Sequence, residues 1–370
     1  MAGERQPDPD FWRGRSIFIT GHTGFVGGWL ALWLARMGAH VTGYALSPPT
    51  EPCFFDCIGL DRFVASTLGD VRDSAHVAQA IASARPQVIF HLAAQPLVGL
   101  AFEEPYATFA TNVLGTANVL EAAYATASID AVVVFTTDKV YAAAPTPHRF
   151  QEDDPLGGSE PYALSKASAE FAAHAFRNSR RALERPNLAL ATMRAGNIVG
   201  GGDWAADRLV PDAMRAFQAG RPLVLRKPDA VRPWQFVLDA VSGLLLLTEE
   251  ACRDPQIHSQ SWNFGPIERA TTTVATVADA LARHWGDSAF WRAAVTPGIP
   301  ETMTLEIDSS KAVKRLGWQP RWPLDAALAQ TVSWYRAFYA GENMLDTTSQ
   351  KIDDYCSSNG TNIRIARSSL

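Results

Sequence analysis

Apolar residues fall along the first half of this chain in two alternating rhythms. Continuous runs at 16–20, 40–45, 63–68, 87–92, 131–136 and 188–194 read as short strands buried on both faces. Between them, the stretches 26–37, 74–84 and 108–127, and an alanine-rich stretch opening at Tyr162, carry apolar positions at helical spacing. Regular alternation of the two predicts a parallel sheet covered on both sides, an α/β fold of the doubly wound type. Beyond residue 194 the rhythm loosens into shorter strands and helices with proline- and tryptophan-rich joints, Val231-Arg232-Pro233-Trp234 and Trp318-Gln319-Pro320-Arg321-Trp322. That change predicts a smaller C-terminal α/β domain. Residues 1–190 are assigned mainly to the sheet, 191–345 mainly to the second domain with elements free to cross over, and 346–370 to a polar, loosely attached tail.

The first strand-to-helix crossover holds the glycines. Residues 16–27 read SIFITGHTGFVG, with Gly21, Gly24 and Gly27 between the run and the helix. Glycines there permit a tight turn and let backbone approach a pyrophosphate, which then rests on the free N–H groups of the helix start. The spacing is G-x-x-G-x-x-G, the form found in short-chain dehydrogenase-like proteins, which bind NAD or NADP; a plain glycine turn is the alternative. The sheet is therefore expected to be a Rossmann-type dinucleotide site. An acidic residue about 20 positions on would hold the adenosine ribose. Ser47 stands there without a nearby arginine cluster, which leaves NAD or NADP open. Asp70, past the 63–68 strand, is placed either at the adenine amine or as a turn residue. Ala93, Ala94 and Gln95 follow the 87–92 strand and are small enough for backbone to lie against a cofactor.

The candidate chemistry sits at the end of the 131–136 strand, in Thr136-Thr137-Asp138-Lys139, where open parallel sheets hold their ligands. Tyr162 and Lys166, at i and i+4, share a helix face. A lysine cation beside a phenol favours phenolate, and lowering a tyrosine pKa from about 10 to about 7 takes roughly 4 kcal/mol. Such a tyrosine, with Thr137 sharing the hydrogen bond, is a competent base for a substrate hydroxyl. A lone Y-x-x-x-K is common by chance; its place after the glycine turn and the T-T-D-K strand end makes it a catalytic candidate. The run from Ala195 through Asn197 and three glycines to Asp203 and Trp204 is too long for a tight turn and suggests a loop closing over a ligand. Arg208, Arg226 and Arg232 follow it and are suited to clamping a diphosphate.

Composition narrows the classes. A net charge of −5 disfavours a general nucleic-acid binder, which needs a basic face. No apolar run reaches the roughly 18 residues of a membrane span. The first residues, MAGERQPDPDFW, contain no signal-peptide core, so the expected compartment is the cytoplasm. Cys53, Cys57, Cys252 and Cys356 show neither metal-site spacing nor a disulfide framework, and no metal is expected.

With these residues in view, the chain resembles the nucleotide-sugar branch of the extended short-chain dehydrogenase/reductase superfamily, and within it the CDP-glucose 4,6-dehydratases. The likeness rests on GHTGFVGGWLALWLARMGA, HLAAQPLV, FATNVLGTANVLEA, PYALSKASAE, RAGNIVGGGDWAADRLVPD, AVRPWQFV, WNFGP and LGWQPRW, spread over residues 11–345. It implies bound NAD, a CDP-sugar substrate and a homodimer built on a helix bundle. It also implies conversion of CDP-D-glucose to CDP-4-dehydro-6-deoxy-D-glucose by C4 oxidation, loss of water across C5 and C6, and hydride return to C6. On this resemblance Tyr162, with Thr137 and Lys166, serves the 4-hydroxyl, Lys139 is the base at C5 and Asp138 the acid at the 6-hydroxyl. Cofactor contacts are implied at Gly21, Thr23, Gly24, Phe25, Val26, Gly27, Asp70, Val71, Leu92, Ala93, Ala94, Gln95, Thr111, Tyr162 and Lys166. Substrate contacts are implied at His22, Asn112, Asn197, Asp203, Trp204, Arg208 and Arg232. The chain departs from the family pattern at Val26, Ser47, Phe236 and the segment 142–154. The alternatives are a dehydratase of a modified CDP-hexose and a CDP-sugar C4 epimerase of the same fold, which would use Thr137, Tyr162 and Lys166 without Asp138 and Lys139. A non-catalytic NAD-binding regulator would need none of the five.

Overall fold

The structure, a computed structural model, describes residues 4–144, 148–268, 272–295 and 305–358. Seven strands form one parallel sheet: β1 (Ser16–Thr20), β2 (His40–Ala45), β3 (Val64–Leu68), β4 (Val88–His91), β5 (Ala131–Phe135), β6 (Ala189–Arg194) and β7 (Ser261–Asn263). Their spatial order is β7-β6-β5-β4-β1-β2-β3. The order reverses between β1 and β4, where Thr20 pairs with His91, so the crevice for a ligand opens beyond the carboxyl ends of these two strands. The strands can be apolar throughout because both faces are covered. Phe18, Ile89, Val132, Val134 and Leu190 pack under the helices α2 (Ser74–Ala84) and α3 (Gly115–Ala125). Ile17, Ile19, Phe90, Val133 and Ala191 face the opposite core, shared with α1 (Phe25–Arg36).

That second core continues without interruption into the C-terminal half. Helix α5 (Val237–Arg253) is apolar on nearly every side, with Leu244 to Leu247 fully buried, because it lies between the sheet and the rest of the chain. The boundary drawn at 190/191 therefore falls inside β6, and the chain returns to the sheet through α5 and β7. The three-residue β7 is too short to stand out as a run. Three further two-stranded pairs, Ile198–Val199 with Gln235–Phe236, Leu223–Leu225 with Trp291–Ala293, and Arg149–Phe150 with Glu306–Ile307, build the second half. Helices Leu209–Gln218, Val274–Trp285 and α6 (Leu324–Tyr339) join them.

Two expectations change. The 108–127 stretch is helical, but a wide π turn at Ala110–Leu114 separates Pro105–Phe109 from α3, a feature frequent at functional sites. The tail is not loose where it is described. Residues 344–357 form α7 (Met344–Ser357), which buries Ile352 and Tyr355; residues 359–370 lie outside the described residues. The physical reason is Asp239, fully buried on α5, which accepts from the Tyr355 hydroxyl at 2.6 Å and from the Arg321 backbone N–H at 2.9 Å. A polar exposed face hid this anchored one.

Candidate active site

The crevice begins as backbone. Gly21 takes φ +79°, and a methyl there would lie 2.7 Å from the Ala93 nitrogen. A methyl on Gly27 would lie 2.2 Å from the Gly21 carbonyl oxygen. The β1–α1 turn and the exit of β4 thus meet main chain to main chain. Gly24 caps α1 with no side-chain bond, which leaves first-turn N–H groups beside Phe25 and Val26 without a cap. Thr23 donates its hydroxyl to the Leu46 carbonyl at 3.0 Å. The donors and the close backbone approach fit a dinucleotide pyrophosphate.

Behind this cradle lies a buried polar chain that sequence reasoning missed. The Thr20 hydroxyl accepts from the Leu92 and Ala93 N–H groups at 3.1 and 3.2 Å and pairs with His91 Nδ1 at 2.7 Å. His91 Nε2 meets the Thr116 hydroxyl at 3.0 Å. Burial, reinforced by the nearby Lys166 charge, pushes the imidazole pKa down to about 3, so it is a neutral strut. Its one sequence signal is a histidine inside an otherwise apolar strand.

Of the other cofactor candidates, Asp70 holds Arg72, receiving its backbone N–H at 2.9 Å and its Nε at 2.8 Å. Val71 packs against Gly115. Ala94 and Gln95 line the loop after β4, and Thr111 lies half-buried in the π turn. Two implied substrate contacts are tied into the fold itself. Asn112 is buried, accepts from the Gln95 N–H at 2.8 Å and donates to the Gln95 carbonyl at 3.1 Å and the Ser165 hydroxyl at 2.9 Å. It clasps the 93–97 loop to the helix of Tyr162 and has no free face for a sugar. His22 is fully buried against Gly43, Phe55 and the Ser66 hydroxyl, 2.7 Å from Nε2, and burial takes its pKa down to about 4. It is a packing residue under β2 and β3.

The helix that carries Tyr162 and Lys166 is α4 (Pro161–Arg177). Pro161 opens it and the Glu160 carboxylate accepts from the Tyr162 and Ala163 N–H groups at 2.7 and 2.9 Å, so the first turn is fixed. Thr137 and Tyr162 are close enough for Thr137 to bear on the phenol's titration, and the Lys139 ammonium lies 6.0 Å from its ring centre. The structure thus gathers Thr137, Asp138, Lys139, Tyr162 and Lys166 at the end of β5. Electrostatics differ from the sequence expectation. The Lys166 ammonium donates to the Phe135 carbonyl at 2.8 Å, and burial lowers its pKa to about 8. Burial raises the Tyr162 pKa to about 12, opposed by the Thr137 hydroxyl and the Arg208 charge. In the molecule without ligands Tyr162 is a phenol. Asp138 accepts from the Thr137 hydroxyl at 3.0 Å and from Asn197 Nδ2 at 3.2 Å. Burial raises its pKa, opposed first by Lys139 and more weakly by Arg232.

The 195–208 loop reaches over this cluster. Gly196 abuts the Asp138 carboxyl, and Asn197 sits at φ +48° to aim its amide there. Arg208 donates to Asp203 at 2.9 Å, and Asp203, whose carbonyl accepts the Tyr335 hydroxyl, acts through that arginine. Arg232 is buried near Asp138, and Arg226 meets Asp207 at 3.3 Å. Trp204 is buried among Trp334, Tyr335, Phe338 and Tyr339 and anchors the loop to α6. Phe236, between Trp322 and Tyr355, belongs to the core. Part of the departing segment, 145–147, lies outside the described residues. Among the described residues no group of three His, Cys, Asp or Glu side chains is arranged to hold a metal, and no helix is long and apolar enough to cross a membrane.

The family model described as GDP-mannose 4,6 dehydratase matches residues 18–331, from β1 to α6. The chain belongs to this 4,6-dehydratase family. A CDP-glucose 4,6-dehydratase of Salmonella typhimurium is 42% identical over 353 residues, 95% of this chain and 98% of that protein. A dTDP-glucose 4,6-dehydratase of Xanthomonas campestris pv. campestris is 27% identical over 333 residues, 86% and 92% of the two chains. Among solved structures, MoeE5 in complex with UDP-glucose and NAD superposes with a TM-score of 0.73 at 24% identity, covering 88% of this chain and 99% of that one. A UDP-glucose 4-epimerase of Thermotoga maritima with UDP-glucose gives 0.74 at 22% identity, covering 87% and 99%. These two share the Rossmann fold. As a member of the 4,6-dehydratase family the chain is a sugar-nucleotide hydro-lyase, and the epimerase and regulator readings fall away.

Proposed function

We propose that this dehydratase converts CDP-D-glucose to CDP-4-dehydro-6-deoxy-D-glucose with NAD held in the β1–β4 crevice. The observation that carries the elimination is the pair at the strand end: a fully buried Asp138, held by the Thr137 hydroxyl at 3.0 Å and with a raised pKa, next to Lys139, whose ammonium lies 6.0 Å from the Tyr162 ring centre. Burial that raises a carboxyl's pKa favours its protonated form and so suits it to the role of acid, with an amine beside it suited to receive a proton. The 42% identity to the Salmonella typhimurium enzyme supports the choice of CDP-glucose.

The turn at Gly21, Gly24 and Gly27, the N–H groups of the first turn of α1, and the backbone of Leu92 and Ala93 would hold the NAD. When bound, NAD supplies the oxidant for the sugar C4 alcohol and the reductant for C6. The chain's own residues do the proton chemistry. Thr137 shares its hydrogen bond with the 4-hydroxyl and Tyr162 accepts that proton, which requires positive charge near the phenol to overcome burial. Lys166 fixes the strand end through Phe135. Once C4 is a ketone, the C5 proton is acidic and Lys139 removes it; as the ammonium, Lys139 returns a proton to C5 when C6 is reduced. Asp138 protonates the departing 6-hydroxyl, so water leaves without generating hydroxide in a buried site. Arg208 and Arg232 would meet the diphosphate, and the 195–208 loop would cover it.

The active molecule is proposed to be a homodimer. Phe102, Tyr106, Phe109, Leu164 and Phe171 remain 37 to 85% exposed on Val98–Glu103, Pro105–Phe109 and α4, one apolar helical face around the catalytic helix. The functional test is a panel of CDP-, dTDP-, GDP- and UDP-glucose with product read by mass. CDP-glucose giving a product lighter by one water is expected. Turnover confined to another nucleotide overturns the assignment of the base, and isomerisation without mass change overturns the dehydration.

A further inference from the structure

The catalytic helix carries a charged side chain that the reaction does not use. Glu170 lies on α4 one turn past Lys166 and two past Tyr162, so all three share a face. It is almost completely buried, yet its carboxylate is saturated with donors. One oxygen accepts from the Thr136 hydroxyl at 2.6 Å. The other accepts from the Thr192 hydroxyl at 2.8 Å, Arg194 Nη2 at 2.9 Å and the Ser261 hydroxyl at 3.0 Å. Four donors surround the carboxylate, one on Oε1 and three on Oε2. They come from the ends of three adjacent strands: Thr136 directly after β5, Thr192 and Arg194 on β6, Ser261 on β7.

The two partners nearest the chemistry have further links. Thr136 is the residue before Thr137, Asp138 and Lys139. Arg194 continues outward, donating to the Tyr141 hydroxyl and to the Glu152 carbonyl, each at 3.0 Å, while Tyr141 donates to Asn263 Oδ1 at 2.5 Å. The chain leaving the acid–base pair is thereby stitched to the same centre. The Glu170 charge also opposes the burial that lowers the Lys166 pKa.

We propose that Glu170 is a positioning residue: paired with Arg194, it locks the Thr136–Lys139 strand end to the helix bearing Tyr162 and Lys166, setting the acid–base pair in register with the oxidation site. This rests on the roles assigned to those residues above. A buried ion pair is weak evidence for stability, since an apolar replacement is often as good, so its use here is geometric. A displacement of the order of 1 Å at reacting groups is enough to cost about 10²-fold in rate.

Thr136→Val removes one tether and keeps the ion pair. On CDP-glucose its kcat is expected to fall by about tenfold or more with KM within about twofold, while reduced nicotinamide accumulates relative to wild type, because elimination lags oxidation. A kcat within twofold of wild type overturns the proposal. The second readout needs no substrate and stands even if CDP-glucose proves wrong: the Lys166 ammonium followed by NMR of ¹³C-lysine protein. Glu170→Gln should lower its titration midpoint, because an opposing negative charge is lost while the neutral His91 stays. If that variant does not fold, Glu170→Gln with Arg194→Met removes both charges and leaves none uncompensated. An unchanged midpoint overturns the coupling of Glu170 to the catalytic lysine, whereas a wild type inactive on every sugar nucleotide overturns the proposed function alone.

Discussion

The proposed mechanism assigns oxidation and elimination to different side chains, and that division can be tested one residue at a time. Lys139→Met leaves Thr137, Tyr162 and Lys166 intact. The variant should still oxidise C4, seen as reduced nicotinamide on the enzyme, while 6-deoxy product falls by at least about 10²-fold, the scale for losing an acid–base group. Deuterium uptake from solvent at C5 should fall with it. If Lys139 merely balanced the charge of Asp138, product would form at near the wild-type rate. Tyr162→Phe, in parallel, should stop both steps and retain the bound nucleotide. At this scale the motif residues were legible because each combines a chemically active type with a position that periodicity fixes. His22, Asn112 and Trp204 show the limit. They lie within the same motifs, but nothing in a linear pattern separates a polar side chain facing the crevice from one tied to Ser66 or Gln95, or an indole at a ligand from one inside the Trp334–Phe338 cluster. Thr20, His91 and Glu170 went unnoticed for the converse reason: their importance comes from partners tens of residues away.

Among the elements, α7 offers the clearest pH dependence. Burial raises the Asp239 pKa to about 7, partly offset by its hydrogen bonds to Tyr355 and the Arg321 N–H and by the Arg321 guanidinium, with Glu4 adding to the rise. A carboxyl with a raised native pKa contributes stability that is full below its unfolded value near 4 and is lost as pH rises through about 7. Both donors meet the same oxygen, Oδ1, so an asparagine can keep both bonds. Asp239→Asn is therefore expected to flatten the stability profile between pH 4 and 7 and to be the more stable protein at pH 8, by on the order of a few kcal/mol, measured by urea unfolding. A profile parallel to wild type would remove Asp239 as its source. The strands and helices of the first half were legible because buried parallel strands read as unbroken apolar runs. The docking of α7 was not, since Met344, Thr348, Ile352 and Tyr355 carry it on a helix whose other positions are mostly polar.

For the molecule as a whole, the doubly wound architecture follows from the alternation alone, but the reach of the second half into the first does not. Assembly is testable directly: Tyr106→Glu with Phe171→Glu should convert a dimer to a monomer in sedimentation, each charge being placed on the exposed apolar face without entering the core. An unchanged mass would move the interface elsewhere. The late return of β7 has its own consequence, one that concerns synthesis. The Thr192 and Ser261 hydroxyls that meet beneath the active site are 69 residues apart in the chain. At roughly 5–20 residues per second, β6 leaves the ribosome some 3 to 14 s before its neighbour exists. Through that interval the sheet ends in an open strand edge, its ladder of N–H and C=O groups available to a strand of any other nascent chain.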